Sequence, residues 1–282
     1  MSMIVVCAVL FAGLLIYGYC SNFFFRAEHY TVPVSGLEQE RKVRIVMLAD
    51  LHGTVFGRDN ERLIRKIENL CPDMICIAGD MTVKDGRGSS ACIALCKEIA
   101  RLCPVYYAMG NHEIRMKQYR DFCSELKKAG VFVLDNEHAR FFVSKKQIVI
   151  YGWSAGEWYY HKCWQKRALI VKELDDQLGT PDKDSFHILL AHNPEYFQTY
   201  CEWGADLVLS GHVHGGIARL PWAGGVIAPS LCLFPKYDAG KFRERNGTMI
   251  LSRGLGTHHI RLRFFNVPEI SVIDLCGKSG LS

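Results

Sequence analysis

From Val43 to Met109 the chain repeats one pattern three times: a short, almost wholly apolar run that stops at a cluster of Gly, Asp, His or Asn. The runs are VRIVML (43–48), MICIA (74–78) and VYYAM (105–109), and helical periodicity separates them. Leu63, Ile64, Ile67 and Leu70 mark one face of a helix over Asp59–Leu70, with Asp59 or Asn60 as its cap. Further helices are expected over Cys92–Leu102 and over Tyr119–Ala129, the latter stopped by Gly130. Buried apolar strands that alternate with amphipathic helices imply a sheet with parallel strands, covered by helices. Beyond Val131 the texture shifts toward strands: Val131–Leu134, Arg140–Val143, Gln147–Tyr151, Phe186–Leu190, Leu207–Leu209, Met249–Ser252, Arg261–Phe264 and Ile270–Ile273, with a helix around Lys166–Leu174. The expected fold is therefore α/β, a layered sandwich forming one domain over residues 41–276.

The first 25 residues are of another kind. They contain no charged side chain, and Met3–Tyr19 is almost continuously apolar, long enough to span a bilayer core. A cleaved signal peptide would want a basic start and small residues before the cut, and both are missing. Residues 1–25 are thus expected to be a retained, single-pass membrane anchor, and the polar stretch 26–40 a short tether. Arg26, Arg41, Lys42 and Arg44 put positive charge downstream, which places the main domain in the cytoplasm. A formal charge of +5 suits an anionic substrate or a membrane surface but is too mild for a dedicated nucleic-acid binder, so none is expected as a partner. Cys71, Cys76, Cys92, Cys96, Cys103 and Cys123 fall mostly within apolar patterns and read as reduced thiols of a reducing compartment.

Five short motifs sit just beyond the ends of expected strands: Asp50-Leu51-His52, Gly79-Asp80, Gly110-Asn111-His112-Glu113, His192, and Gly211-His212-Val213-His214. In open α/β sheets ligands converge at that edge. Within D-x-H and H-x-H, residues two apart in extended chain point the same way and can reach one ion. Carboxylates and neutral imidazoles suit a pair of divalent ions such as manganese, iron or zinc, and the lack of thiolates argues against a structural zinc site. A carboxylate can bridge two ions at roughly 3.5–4 Å separation. Asp80 is the natural bridge, with Asp50 and His52 completing one ion and Asn111 and His192 the other.

In this order the blocks resemble the calcineurin-like metallophosphoesterases, whose pattern runs D-x-H, GD, GNH[ED], H and GHxH, over about residues 43–275. The resemblance implies two mixed sheets flanked by helices, and a dinuclear metal-dependent phosphoesterase that attacks phosphorus with a metal-bridged hydroxide. It implies that Asp50, His52, Asp80 and His214 hold the first ion, and Asp80, Asn111, His192 and His212 the second. His112 would lie by the leaving-group oxygen and, with Asp80 and Asn111, form the catalytic group. Val213 and Ile217 depart from the common Thr and Gln without removing a ligand. His214-Gly215-Gly216, Ser252-Arg253-Gly254-Leu255-Gly256 and Pro268-Glu269-Ile270 are similar to a membrane-associated bacterial branch that includes lipid-directed phosphodiesterases and UDP-2,3-diacylglucosamine pyrophosphatases. A phosphodiester or pyrophosphate in a lipid-linked, membrane-proximal substrate is the resulting expectation. The alternatives are a phosphoesterase of soluble nucleotides or phosphoproteins, and a non-catalytic metal-binding scaffold.

Outside the motifs, His29, His138, His161 and His187 read as surface or core residues. His258 and His259, near Arg253, Arg261 and Arg263, form a cluster that either meets a phosphate or is a solvated basic face. The aromatic segment Trp153–Tyr160 reads as core packing or as a pocket lining, and Leu220–Lys241 as a long ordered loop beside the site.

Overall fold

The computed structural model describes residues 3–160, 167–216, 219–220, 224–226, 233–257 and 262–277. In chain order the helices are α1 (Met3–Cys20), α2 (Glu61–Leu70), α3 (Ser89–Ile99), α4 (Asn111–Ile114), α5 (Tyr119–Lys128), α6 (Val171–Leu178) and α7 (Phe197–Trp203). The strands are β1 (Arg26–Val34), β2 (Lys42–Leu48), β3 (Met74–Ala78), β4 (Val105–Ala108), β5 (Phe132–Val133), β6 (His138–Val143), β7 (Lys146–Trp153), β8 (Phe186–Ala191), β9 (Leu207–Ser210), β10 (Arg219–Leu220), β11 (Gly224–Gly225), β12 (Gly240–Glu244), β13 (Gly247–Leu251) and β14 (Glu269–Gly277).

They build two six-stranded mixed sheets, ordered β1-β14-β2-β3-β4-β5 and β12-β13-β9-β8-β7-β6. Within the first, β2 to β5 run parallel; within the second, β7, β8, β9 and β13 do. Side-chain alternation sorts each strand between two cores. In β2, Val43, Ile45 and Met47 enter the space between the sheets, while Val46 and Leu48 meet α2, α3 and α5. In β8, Ile188 and Leu190 face the first sheet, and Leu189 and Ala191 lie under α6 and α7. A four-layer helix–sheet–sheet–helix sandwich results, because every central strand is apolar on both faces.

Several details differ from expectation. The stretch 26–40 is not a tether: Arg26–Val34 is a full edge strand, parallel to β14 from Arg26↔Glu269 to Val34↔Gly277. Its Val32 and Val34 point into the inter-sheet core, and Pro33 is tolerated on the open side of an edge. Asn60 occupies the cap position of α2 without capping it; its Oδ1 accepts from the Phe56 amide at 3.0 Å instead. The strand expected over Arg261–Phe264 is absent among the described residues, where Arg263 is buried as a structural cation. The helix around Lys166–Leu174 starts at Val171, and Lys166 lies outside the described residues. The short helix α7 and the polar edge strand β12 were not anticipated.

Helix α1 and the turn that continues it form a 21-residue segment long and apolar enough to cross a membrane. Ile4, Leu10, Phe11 and Ile16 are exposed, as they are not in a core helix. Its last turn is docked on the domain. The Gly18 carbonyl accepts from the Arg263 amide at 2.9 Å, Phe264 lies against Gly18, and Tyr17 meets Phe265 at 5.8 Å between ring centroids. All ten described cysteines are free.

Candidate metal centre

Strands β2, β3, β4, β8 and β9 each deliver one motif at their carboxyl ends, so the two sheets converge on one cluster. The β2–β3 pairing runs on into the loops, with Asp50 N donating to Gly79 O (3.0 Å) and His52 N to Asp80 O (3.0 Å). His192, from the other sheet, closes the gap with its Nδ1 2.6 Å from the Ala78 carbonyl. Asp50, His52, Asp80, His212 and His214 all adopt left-handed backbone (φ 53°, 47°, 55°, 73° and 54°), which turns each side chain inward at a conformational cost.

The structure brings the candidate ligands together in three overlapping sets whose donor atoms lie within 4.8 Å of one another: Asp50, His52 and His214; His52, Asp80 and His112; Asp80, His192 and His212. The first and third match the two ion sites implied by the resemblance, apart from Asp80 in the first and Asn111 in the third. His52 Nε2 and His214 Nε2 face each other at 3.1 Å on stacked rings. His214 Nε2 is 3.4 Å from Asp50 Oδ1, and His192 Nε2 is 3.1 Å from Asp80 Oδ2. Asn111 opens α4 between Gly110 and His112, and the His112 amide donates to Asp80 Oδ1 at 2.8 Å.

Electrostatics prepare the cluster for cations. Burial pushes the Asp50 carboxyl up to about 7 against the pull of His192. Burial also opposes ionisation of Asp80, but His192, His52 and His112 outweigh it and hold that carboxyl well below the usual range. Burial and the His192 charge take His212 down to about 3, and burial with His52 keeps His214 low, so both rings are neutral donors. Burial disfavours the charged form of His192, yet Asp80 and Asp50 lift it to about 10.

Two further observations fit this donor set to divalent ions. The Oδ1 of Asn111 is buried with no hydrogen-bond partner, an expensive arrangement that a cation would relieve. A Cβ at Gly110 would sit 2.1 Å from Asp80 Oδ1, and one at Gly211 would sit 2.5 Å from Asp50 Oδ2, so only glycine lets the loops approach the carboxylates this closely.

Some residues that shape the site were not singled out in the sequence. Glu113, fully buried, accepts from the amides of Asp80 (2.8 Å), Gly110 (3.0 Å) and Thr82 (3.0 Å) and from the Tyr107 hydroxyl (3.1 Å), clamping the GD and GNHE loops together. Its place as the fourth residue of GNHE was the available signal. Asn266 donates to the carbonyls of His214 (2.7 Å) and Gly216 (2.8 Å) and had no such signal. The aromatic segment divides: Trp153 and Tyr159 pack in the outer core, whereas the Tyr160 ring lies edge-on to His212 at 5.1 Å with its hydroxyl buried and unpartnered.

Within the proposed basic cluster, the described arginines are structural. Arg263 donates to the carbonyls of Arg253, Gly254, Gly256 and Asn266, and Arg253 lies 3.5 Å from Glu269. His258, His259 and Arg261 lie outside the described residues, as do His161 and Ile217.

The calcineurin-like phosphoesterase family matches residues 43–216, which hold all five candidate metal-ligand motifs. The chain is 29% identical over 254 residues to the protein YpbG of Bacillus subtilis, covering 88% of this chain and 86% of that one. It is 28% identical over 240 residues to the phosphodiesterase YaeI of Escherichia coli, covering 82% of each. It is also 29% identical over 259 residues to a transmembrane protein with a metallophosphoesterase domain from Danio rerio, covering 86% of this chain and 56% of that one. With a converging Asp/His cluster at the edge of two mixed sheets, and a family match across most of the sandwich, this chain belongs to the calcineurin-like phosphoesterases and is a metal-dependent phosphoester hydrolase.

Proposed function

We propose that the chain is a dinuclear phosphodiesterase or pyrophosphatase acting on a lipid-linked, membrane-proximal substrate, with residues 1–25 as its anchor. The observation that carries the dinuclear reading is the overlap of the three donor sets on His52 and Asp80. Asp50, His52, Asp80 and His214 would hold one ion, and Asp80, Asn111, His192 and His212 the other, with manganese, iron and zinc all compatible with such ligands. Bound there, the ions would supply Lewis acidity toward the phosphoryl oxygens and acidify a water.

The chain's own residues do the rest. Asp80, held ionised, belongs to two of the three donor sets, and Glu113 fixes its loop through the Asp80 amide. His112 reaches toward the same space, with its Nε2 4.0 Å from Asp80 Oδ2, and its Nδ1 accepts from the Lys84 amide at 3.1 Å. That bond leaves the proton on Nε2, so His112 presents an N–H to the departing oxygen. The lipid-directed part of the reading rests on the docking of the apolar helix beside the centre, and finds support in the membrane-named relative. The positive charge of Arg26, Arg41, Lys42 and Arg44 favours a cytoplasmic domain, to which strand Arg26–Val34 belongs together with residues 41–276.

A panel of lipid and soluble phosphoesters, offered with added manganese, tests this. Turnover concentrated on lipid-linked diesters or pyrophosphates supports the reading. Turnover confined to nucleotides or phosphopeptides would favour a soluble substrate, and no turnover with any divalent ion would favour a scaffold.

A further inference from the structure

A cleft of about 480 Å³ connects the candidate metal centre to the end of the apolar helix, and no motif in the sequence pointed to it. His52 lines it. Tyr19 and Phe23, at the end of the apolar helix, line it as well, together with Val55, Arg62 and Lys84. Three of these are exposed apolar or aromatic side chains: Tyr19, Phe23 and Val55. Three lining residues are cations: Arg62, which donates to the Phe23 carbonyl at 3.2 Å, Lys84, whose own amide holds His112 Nδ1, and Arg87, which pairs with the lining carboxylate of Asp85. The wall thus joins a candidate metal ligand to cations and to exposed hydrocarbon.

The helix end and the candidate ligands are held in fixed relation. Arg263 grips Gly18 through its amide and Gly256 through its guanidinium, and Gly256 in turn donates to the Asp50 carbonyl. Phe25, just after the helix, packs edge-on against Phe56 at 4.8 Å. Where the apolar helix leaves a bilayer, aromatic residues such as Tyr17, Tyr19, Phe23 and Phe24 lie at the headgroup level. With α1 in a bilayer, the part of the cleft lined by Tyr19 and Phe23 would lie at that level.

Building on the phosphoesterase reading above, we propose that this cleft is the binding site for the hydrocarbon chain of an amphiphilic phosphoester that enters sideways from the leaflet. The phosphoryl group lies at His52 and the adjoining ligands. Arg62 and Lys84 meet anionic headgroup oxygens, and the chain runs past Val55 and Phe23 toward the helix. A cleft that joins a candidate metal ligand to the exposed aromatic end of an apolar helix favours this occupant over a nucleotide.

Alkylphosphonates, which resist hydrolysis, test the cleft in the full chain reconstituted in phosphatidylcholine nanodiscs with manganese. Inhibition of bis(p-nitrophenyl) phosphate hydrolysis is measured from methyl- to octylphosphonate. If each methylene enters the cleft, inhibition tightens by about threefold per carbon over part of the series, near the limit for full burial, and by at least thirtyfold in total. Val55→Glu flattens that dependence to within about threefold, and Val55→Ser gives an intermediate slope. Phe142→Glu, a change at another exposed apolar residue on the far edge strand β6, keeps the full slope and so controls for partition into the disc. A slope identical in wild type and Val55→Glu, or none in a wild type that turns over the soluble diester, overturns the cleft while leaving the metal centre standing. Without turnover of the soluble diester, direct binding of labelled octylphosphonate to wild type and Val55→Glu decides the cleft, and bound manganese read by elemental analysis decides the metal centre separately.

Discussion

The space between the two sheets and the cluster at their carboxyl edge are buried alike but built in opposite ways. Below, Ile45, Met47, Ile150, Ile188 and Leu209 interdigitate from regular strands, each completely withdrawn from water. At the edge, Asp50, Asp80 and His192 are equally withdrawn, yet they carry charge, and five candidate ligands sit in left-handed backbone. A non-glycine residue held in such a conformation costs about 1–3 kcal/mol, and an uncompensated buried carboxylate costs more. The difference teaches that the sandwich supplies the stability and the edge spends it. The strain is held by Glu113, which ties the loops together through the amides of Asp80, Gly110 and Thr82, and the buried carboxylates are what cation binding would offset.

Four changes would break or sharpen this contrast. Asp80→Ala removes the shared carboxylate; activity is expected to fall by at least about 10⁴-fold and bound metal to drop, read by steady-state kinetics and elemental analysis. His112→Ala should keep the metal and cost about 10²–10⁴-fold in kcat, the range for removing a positioned acid. Ile188→Ala is the mirror image in the core. It should lower stability by about 3 kcal/mol in urea melts while kcat per folded molecule stays unchanged.

The smallest effect lies at the other end of the first sheet, where Arg44 reaches Asp274 at 2.9 Å and Lys42 at 2.5 Å. Burial opposes ionisation of Asp274, but these two cations prevail and hold its carboxyl below 3.8. The stabilisation is therefore complete above the ordinary carboxylate pKa and is lost as pH falls through the lower folded value. Asp274→Asn should cost about 1–2 kcal/mol at neutral pH and flatten the acid limb of the stability curve, measured by denaturant melts across pH.

The strand and helix alternation was legible because β2, β3, β4 and β8 are apolar on both faces, and such strands have few other places to go. Strand β1 was not. Its RAEHYTVPV is polar on the open side of an edge and carries a proline, so only its pairing with β14 reveals it. The motifs announced the candidate ligands by residue type and place at strand ends, but not by extended-chain spacing: Asp50, His52, His212 and His214 are left-handed, and His212 and His214 join different donor sets. Glu113 shows the limit: its role is set by three amides that the fold brings from separate loops. Arg263 looked like a surface cation able to meet phosphate, and burial made it a staple between the apolar helix and the Asp50 loop.

The central claim is that this edge grips cations whose joint presence makes the site reactive. Chelator-stripped full-length protein should be titrated with manganese while bound ion and diester turnover are followed together. The account predicts negligible turnover without metal and a rise that completes at about two ions per chain. Full turnover in metal-free protein, or at a single bound ion with no second site, would contradict it.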